Sequence, residues 1–129
     1  MREADDAAIL RAVGRGDFIL GEDVREFEKE FAAWVAGENS AHCIGVANGT
    51  DALVLALDAL GVGPGDEVVF GAHAFNLYKI ATLANGGTPV EVEEPDLVMD
   101  VDRVLARMSE RTRIVYAANP NNPTGTYVT

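Results

Sequence analysis

Cysteine is nearly absent from the 129-residue sequence. Cys43 stands alone, so no internal disulfide can form, and a reducing cytoplasm is the expected compartment. Basic residues are scarce too. Ten Lys and Arg face twenty-one Asp and Glu, a formal net charge of −11. Such a surface repels phosphate backbones and anionic membranes, so neither nucleic acid nor membrane is an expected partner. No apolar run approaches the ~20 residues of a membrane span. The opening MREADDAAIL has no signal-peptide core and no Arg/Ser-rich transit character. Lysine occurs only as Lys29 and Lys79. Repeats and low-complexity tracts are missing.

Hydrophobic residues make up 48% and charged residues 24%, the balance of a globular chain rather than a disordered one. The length fits one domain and hardly two, and can bury roughly two-thirds of its surface. The sequence closes on NPNNPTGTYVT, dense in turn residues, which leads to the expectation of a piece of a longer polypeptide.

Residues 5–13 read as a short helix ended by Gly14. Val24, Phe27, Phe31, Trp34 and Val35 recur three and four apart, one face of a second helix. Asp23 with Glu26 resembles its capping box, and Gly37 its stop. A strand–helix rhythm follows. Residues 43–47, 67–71, 89–92 and 113–118 read as strands; 50–60, 75–84 and a segment capped by Asp100 read as helices. Alternation of this kind predicts a three-layer α/β/α fold with a mainly parallel sheet. The expected division is an N-terminal helical segment, 1–37, and an α/β part, 38–129.

In such sheets ligands bind beyond the carboxyl ends of strands. Three of these ends carry chemistry. Asn48-Gly49-Thr50-Asp51 precedes a helix, whose free N–H groups suit a phosphate. A plain Asn-Gly turn with Thr50 as N-cap is the simpler account of those residues alone. The second end, 71–78, offers Phe75 as a face for a flat ring, with His73 beside it; Phe75 and Tyr78 can equally be core residues of one helix. The third, 119–125, combines two Asn-Pro steps, each able to be cis at modest cost, in a rigid turn that aims carboxamides at a ligand. Asn122-Pro123 is expected to be cis, with its carboxamide toward the space between Gly49 and Phe75. The acidic run Glu91, Glu93, Glu94 and Asp96 reads as a solvated edge rather than a metal site. Cys43 reads as an inert core thiol, and His42 has no second ligand at metal spacing.

The residues resemble the fold-type I, pyridoxal-phosphate-dependent aminotransferases. GDFILGEDVREFEKEFAAWVAG and NGTDALVLALDALGVGPGDEVV are similar to the DegT/DnrJ/EryC1/StrS sugar aminotransferases. FNLYKIATLANGGTPVEV and RTRIVYAANPNNPTGTY are similar to histidinol-phosphate aminotransferase. The resemblance implies pyridoxal 5'-phosphate as cofactor, its phosphate on Gly49, Thr50 and Asp51, its ring on Phe75 and its phenolic oxygen on Asn122. It also implies a small-molecule amino donor and acceptor, and a homodimer in the complete enzyme. The lysine that bonds the cofactor and the aspartate for its ring nitrogen lie, by the same resemblance, beyond Thr129. The chain is therefore expected to be part of a cofactor-binding domain, of histidinol-phosphate type. The alternatives are a nucleotide-sugar aminotransferase or a non-catalytic α/β fragment.

Overall fold

Glycines and capping side chains set most of the element ends. A computed structural model describes residues 3–37 and 40–129, which group into two units, Met1–Val46 and Ala47–Thr129. The expected boundary after residue 37 falls on residues outside those described.

In the first unit, α1 (Glu3–Arg15) runs through Gly14, the expected stop, and ends at Gly16, whose φ of 71° is the left-handed conformation that glycine adopts freely. Helix α2 (Glu22–Ala36) ends as expected at Gly37. Its start differs from the Asp23/Glu26 capping box. Gly21 is the N-cap, and Asp17 reaches across the turn to accept the Glu22 N–H at 3.0 Å. That bond holds the Asp17 carboxyl below its ordinary range. The apolar face of α2 forms as its spacing predicts. The Phe27, Phe31 and Trp34 rings follow one another at 5.6 Å. The face is nonetheless open, with Trp34 78% exposed. Residues 43–47 form no strand, contrary to expectation. A strand exists only through a paired neighbour, and no described strand pairs with this segment. Ile44 is exposed and Cys43 half-buried, so the thiol is not a core group.

The second unit holds α3 (Gly49–Ala59), β1 (Glu67–Gly71), α4 (Leu77–Ala84), β2 (Thr88–Val92), α5 (Val101–Arg107) and β3 (Thr112–Tyr116). The sheet has the order β2-β1-β3 and both pairings are parallel. Alternate residues of β1 face opposite ways. Val68 and Phe70 pack with Leu57, Val62 and Ala81, under α3 and α4. Val69 packs with Val90, Val92 and Val104, under α5. Helices on both faces explain the unbroken apolar run of β1 and give the expected three layers.

Both α3 and α4 stop in a Schellman motif. Gly61 (φ 72°) donates to Asp58 O and Val62 to Leu57 O. Gly86 (φ 78°) donates to Leu83 O and Gly87 to Thr82 O. Asp100 caps α5 by accepting the Arg103 N–H at 3.1 Å. At the amino end of β1, buried Glu67 accepts from Ser109 Oγ at 2.6 Å and from Arg111 Nε at 3.0 Å. The Ser109 hydroxyl and then the Arg111 guanidinium hold its carboxyl below the ordinary range.

Candidate functional site

Topology brings the helix starts to one end of the sheet. Helix α4 crosses from the carboxyl end of β1 to the amino end of parallel β2, so it runs against the strands. Helix α3 turns through residues 60–66 into the start of β1 and packs beside α4, joined by the Asn85 Nδ2 bond to Val54 O. Both N-termini therefore face the carboxyl ends of the strands, where ligands of such sheets bind.

Asn48, not Thr50, is the N-cap of α3. Its Oδ1 accepts the Asp51 N–H at 2.9 Å, and its Nδ2 donates to Asp51 Oδ2 at 3.1 Å. That spends the Asp51 amide. The Gly49 and Thr50 amides precede the first intrahelical bond and point out of the helix end. Both residues are exposed, and nothing lies within 4 Å of where a Gly49 Cβ would stand. Two outward amides, a hydroxyl and the positive end of an eleven-residue helix are donor chemistry that fits a phosphate.

Phe75 lies before α4, not inside it as expected. Two turn bonds, Ala74 N–H to Gly71 O and Tyr78 N–H to Phe75 O, hold it in the loop after β1. Its ring is 42% exposed and meets Tyr78 edge-on, centroids 6.1 Å apart. Tyr78 stacks on Tyr116 at 4.2 Å. Burial, then the neighbouring Tyr78, pushes the Tyr116 hydroxyl above its ordinary pKa. A half-open ring on an aromatic floor can take a flat ligand, the second part of the fit.

Asn122-Pro123 is cis, as expected, and so is Asn119-Pro120. Asn122 is exposed. Its neighbour Asn121 is the buried one, 5% exposed, and its Nδ2 donates to His73 O and to Thr124 Oγ1. The loops after β1 and β3 are thereby joined. No hydrogen bond among the described residues links Gly49, Thr50 or Asp51 to Phe75 or Asn122.

Sequence reasoning passed over two residues. Asn121 was hidden among three asparagines of one turn. Glu94 was counted with a solvated acidic edge. Glu91 and Glu93 fit that account, pairing with Lys79 and Arg103 at the surface. Glu94 instead is 4% exposed and accepts the His73 N–H at 2.8 Å. The signal was its phase: Val90, Val92 and Glu94 are two apart, and both valines face the core.

An open concavity lies elsewhere, in the first unit. It is an open groove of about 970 Å³ bordered by Asp17, Glu22, Lys29 and His42, and it contains none of the candidate residues. Among the described residues no helix is long and apolar enough to cross a membrane.

Known proteins resemble this chain over most of its length. Histidinol-phosphate aminotransferase of Dinoroseobacter shibae is 55% identical over 80 residues, 62% of this chain and 22% of that protein. The crystal structure of S. venezuelae DesV, in complex with a ketimine intermediate, is 41% identical, with a TM-score of 0.73 over 85% of this chain and 29% of that one. 3-Amino-5-hydroxybenzoic acid synthase is 35% identical, with a TM-score of 0.75 over 89% of this chain and 30% of that one. The chain thus spans about a fifth of the length of the curated relatives it matches. The model of one family, of pyridoxal-phosphate enzymes, matches residues 1–120, nearly the whole sequence: the chain belongs to the DegT/DnrJ/EryC1/StrS aminotransferase family.

Proposed function

We propose that the chain forms part of the cofactor-binding domain of a pyridoxal-phosphate-dependent aminotransferase of histidinol-phosphate type, in which an amino group passes between glutamate and a phosphorylated carbonyl compound. The observation that carries this reading is the start of α3, where the amides of Gly49 and Thr50 stand unspent at the carboxyl ends of the strands. Gly49 and Thr50 hold the cofactor phosphate with their amides and the Thr50 hydroxyl. Asp51, tied to Asn48, keeps that turn in shape. Phe75 supports the ring from one face, and the Asn122 carboxamide donates to the phenolic oxygen. Bound there, pyridoxal phosphate supplies the electron sink on which an amino group is exchanged. The chain's own share is binding and orientation. Neither of its lysines is among these residues: Lys79, on α4, is paired with Glu91 at 2.7 Å, and Lys29 lies on α2. The complete enzyme is a cytoplasmic homodimer taking small-molecule donor and acceptor.

A nucleotide-sugar aminotransferase is the second reading, favoured by the match of the DegT/DnrJ/EryC1/StrS family model over residues 1–120. Amino transfer from histidinol phosphate or from a nucleotide-linked amino sugar, assayed with the complete polypeptide of the reading frame, separates the two.

The site is tested by NMR titration of the chain with inorganic phosphate and with pyridoxal phosphate. Amide shifts centred on Gly49 and Thr50 are expected with both. Shifts centred elsewhere, or none, would refute the site.

A further inference from the structure

Both backbone groups of one residue, His73, are held by buried side chains from two other loops. From the loop after β2, Glu94 Oε2 accepts the His73 N–H at 2.8 Å and lies 3.5 Å from its Nδ1. From the loop after β3, Asn121 Nδ2 donates to His73 O at 3.4 Å. The direction of the second contact is forced, because a carbonyl only accepts. The same NH2 group reaches Thr124 Oγ1 at 3.0 Å. Thr126 Oγ1 donates to Leu97 O at 2.5 Å, so the Thr124 hydroxyl supplies the proton of its 2.7 Å contact with Thr126. One chain of hydrogen bonds thus joins the loops beyond β1, β2 and β3.

The seat of Glu94 depends on Gly71, the last residue of β1. A Cβ there would stand 1.9 Å from Glu94 Oε1. Each of the two holding side chains also keeps one oxygen buried without a donor, Glu94 Oε1 and Asn121 Oδ1. Unpaired buried acceptors lower stability. The paired atoms of the two side chains, Glu94 Oε2 and Asn121 Nδ2, are the ones that hold His73. Phe75 lies two residues further along the same loop.

We propose that Glu94 and Asn121 are positioning residues: by holding His73 from two sides they set where Phe75 presents its ring to a flat ligand. The ligand part rests on the cofactor site proposed above; the placement of Phe75 does not.

NMR of the unliganded chain tests the placement. In Glu94→Ala and Asn121→Ala, NOEs between the Phe75 and Tyr78 rings are lost, and the His73 amide exchanges at least about tenfold faster. Glu94→Gln, which keeps an acceptor oxygen, retains both signals. Ring and amide signals in the alanine variants that match those of the parent chain would overturn the proposal. Should Glu94→Ala fail to fold by circular dichroism, Asn121→Ala and Asn121→Asp decide, since they alter a turn rather than the sheet. Titration gives the second readout. In the parent chain, pyridoxal phosphate binds roughly two- to tenfold tighter than inorganic phosphate through its ring contact. In the alanine variants phosphate affinity at Gly49 and Thr50 is unchanged and that advantage disappears; in Glu94→Gln it persists. An advantage that survives in the alanine variants overturns the role toward the ligand. A missing phosphate response in every form refutes the cofactor site instead, and the unliganded spectra then judge the placement alone.

Discussion

Gly71→Ala is a one-methyl change whose whole cost is expected to pass through a residue 23 positions away. Gly71 is not among the glycines with positive φ, so alanine is allowed by the backbone. The added Cβ would lie 1.9 Å from Glu94 Oε1, 2.2 Å from Cδ and 2.6 Å from Oε2. All three atoms belong to the end of a flexible side chain, so the carboxylate moves and the strand stays. What is lost is the bond to the His73 N–H at 2.8 Å. His73 is exposed, so its freed N–H turns to water, and the loss is that of one hydrogen bond to a charged acceptor, about 1.5–3 kcal/mol. Exposure of Glu94 relieves the unpaired Oε1, and alanine is better than glycine inside a strand by roughly 0.5–1 kcal/mol. Together these leave about 1–2 kcal/mol. For a unit of this size that is a fall in Tm of about 4–16 °C. Urea denaturation of the four chains of a double-mutant cycle, parent, Gly71→Ala, Glu94→Ala and both, measures it. In the Glu94→Ala background the glycine substitution should be neutral or stabilising, a coupling of about 1–2 kcal/mol. If Gly71→Ala costs the same with and without Glu94, the methyl is striking backbone and the reasoning fails.

Further expectations follow from the same contacts. Leu57→Ala removes a fully buried side chain packed on Val62, Val68, Phe70 and Ala81, and should cost about 2–5 kcal/mol by denaturation; a loss under about 1 kcal/mol would mean that this core is not formed. Glu67 has its folded-state carboxyl below the unfolded value, so its contribution is present at neutral pH and fades as pH falls through the ordinary carboxylate range and below. Glu67→Gln should flatten the stability–pH curve in that window, and an unchanged curve would contradict the Ser109 and Arg111 contacts. Asn48→Ala should cost about 1 kcal/mol through loss of the α3 cap, while phosphate shifts at Gly49 and Thr50 persist; their disappearance would show that the cap itself is the site. The chain mixed with glutamate and pyridoxal phosphate should give no 2-oxoglutarate above the free-cofactor rate, because neither of its two lysines is among the residues of the proposed site; activity abolished by Lys29→Ala or Lys79→Ala would refute that.

Local chemistry already stood in the sequence wherever neighbours along the chain decide the outcome. Gly37, Gly61 and Gly86 end helices because only glycine takes the left-handed conformation without cost, and Asp100 caps α5 from one position away. The apolar run of β1 announced a strand covered on both faces, and strand–helix alternation announced the parallel sheet. The donors at Gly49 and Thr50 were legible for the same reason, since a helix start exposes its first amides whatever surrounds it. Pairing and burial are properties of residues distant in sequence, and there the tertiary structure decided. Residues 43–47 have strand composition, but no described strand pairs with them. Phe75 has helical spacing to Tyr78, yet the turn on Gly71 O keeps it out of α4 and half-open. Three asparagines crowd one loop, and only the approach of His73 selects Asn121 for burial. Glu94 shares a run of acids with Glu91 and Glu93; it is buried because Gly71, on the neighbouring strand, has no side chain where its carboxylate lies.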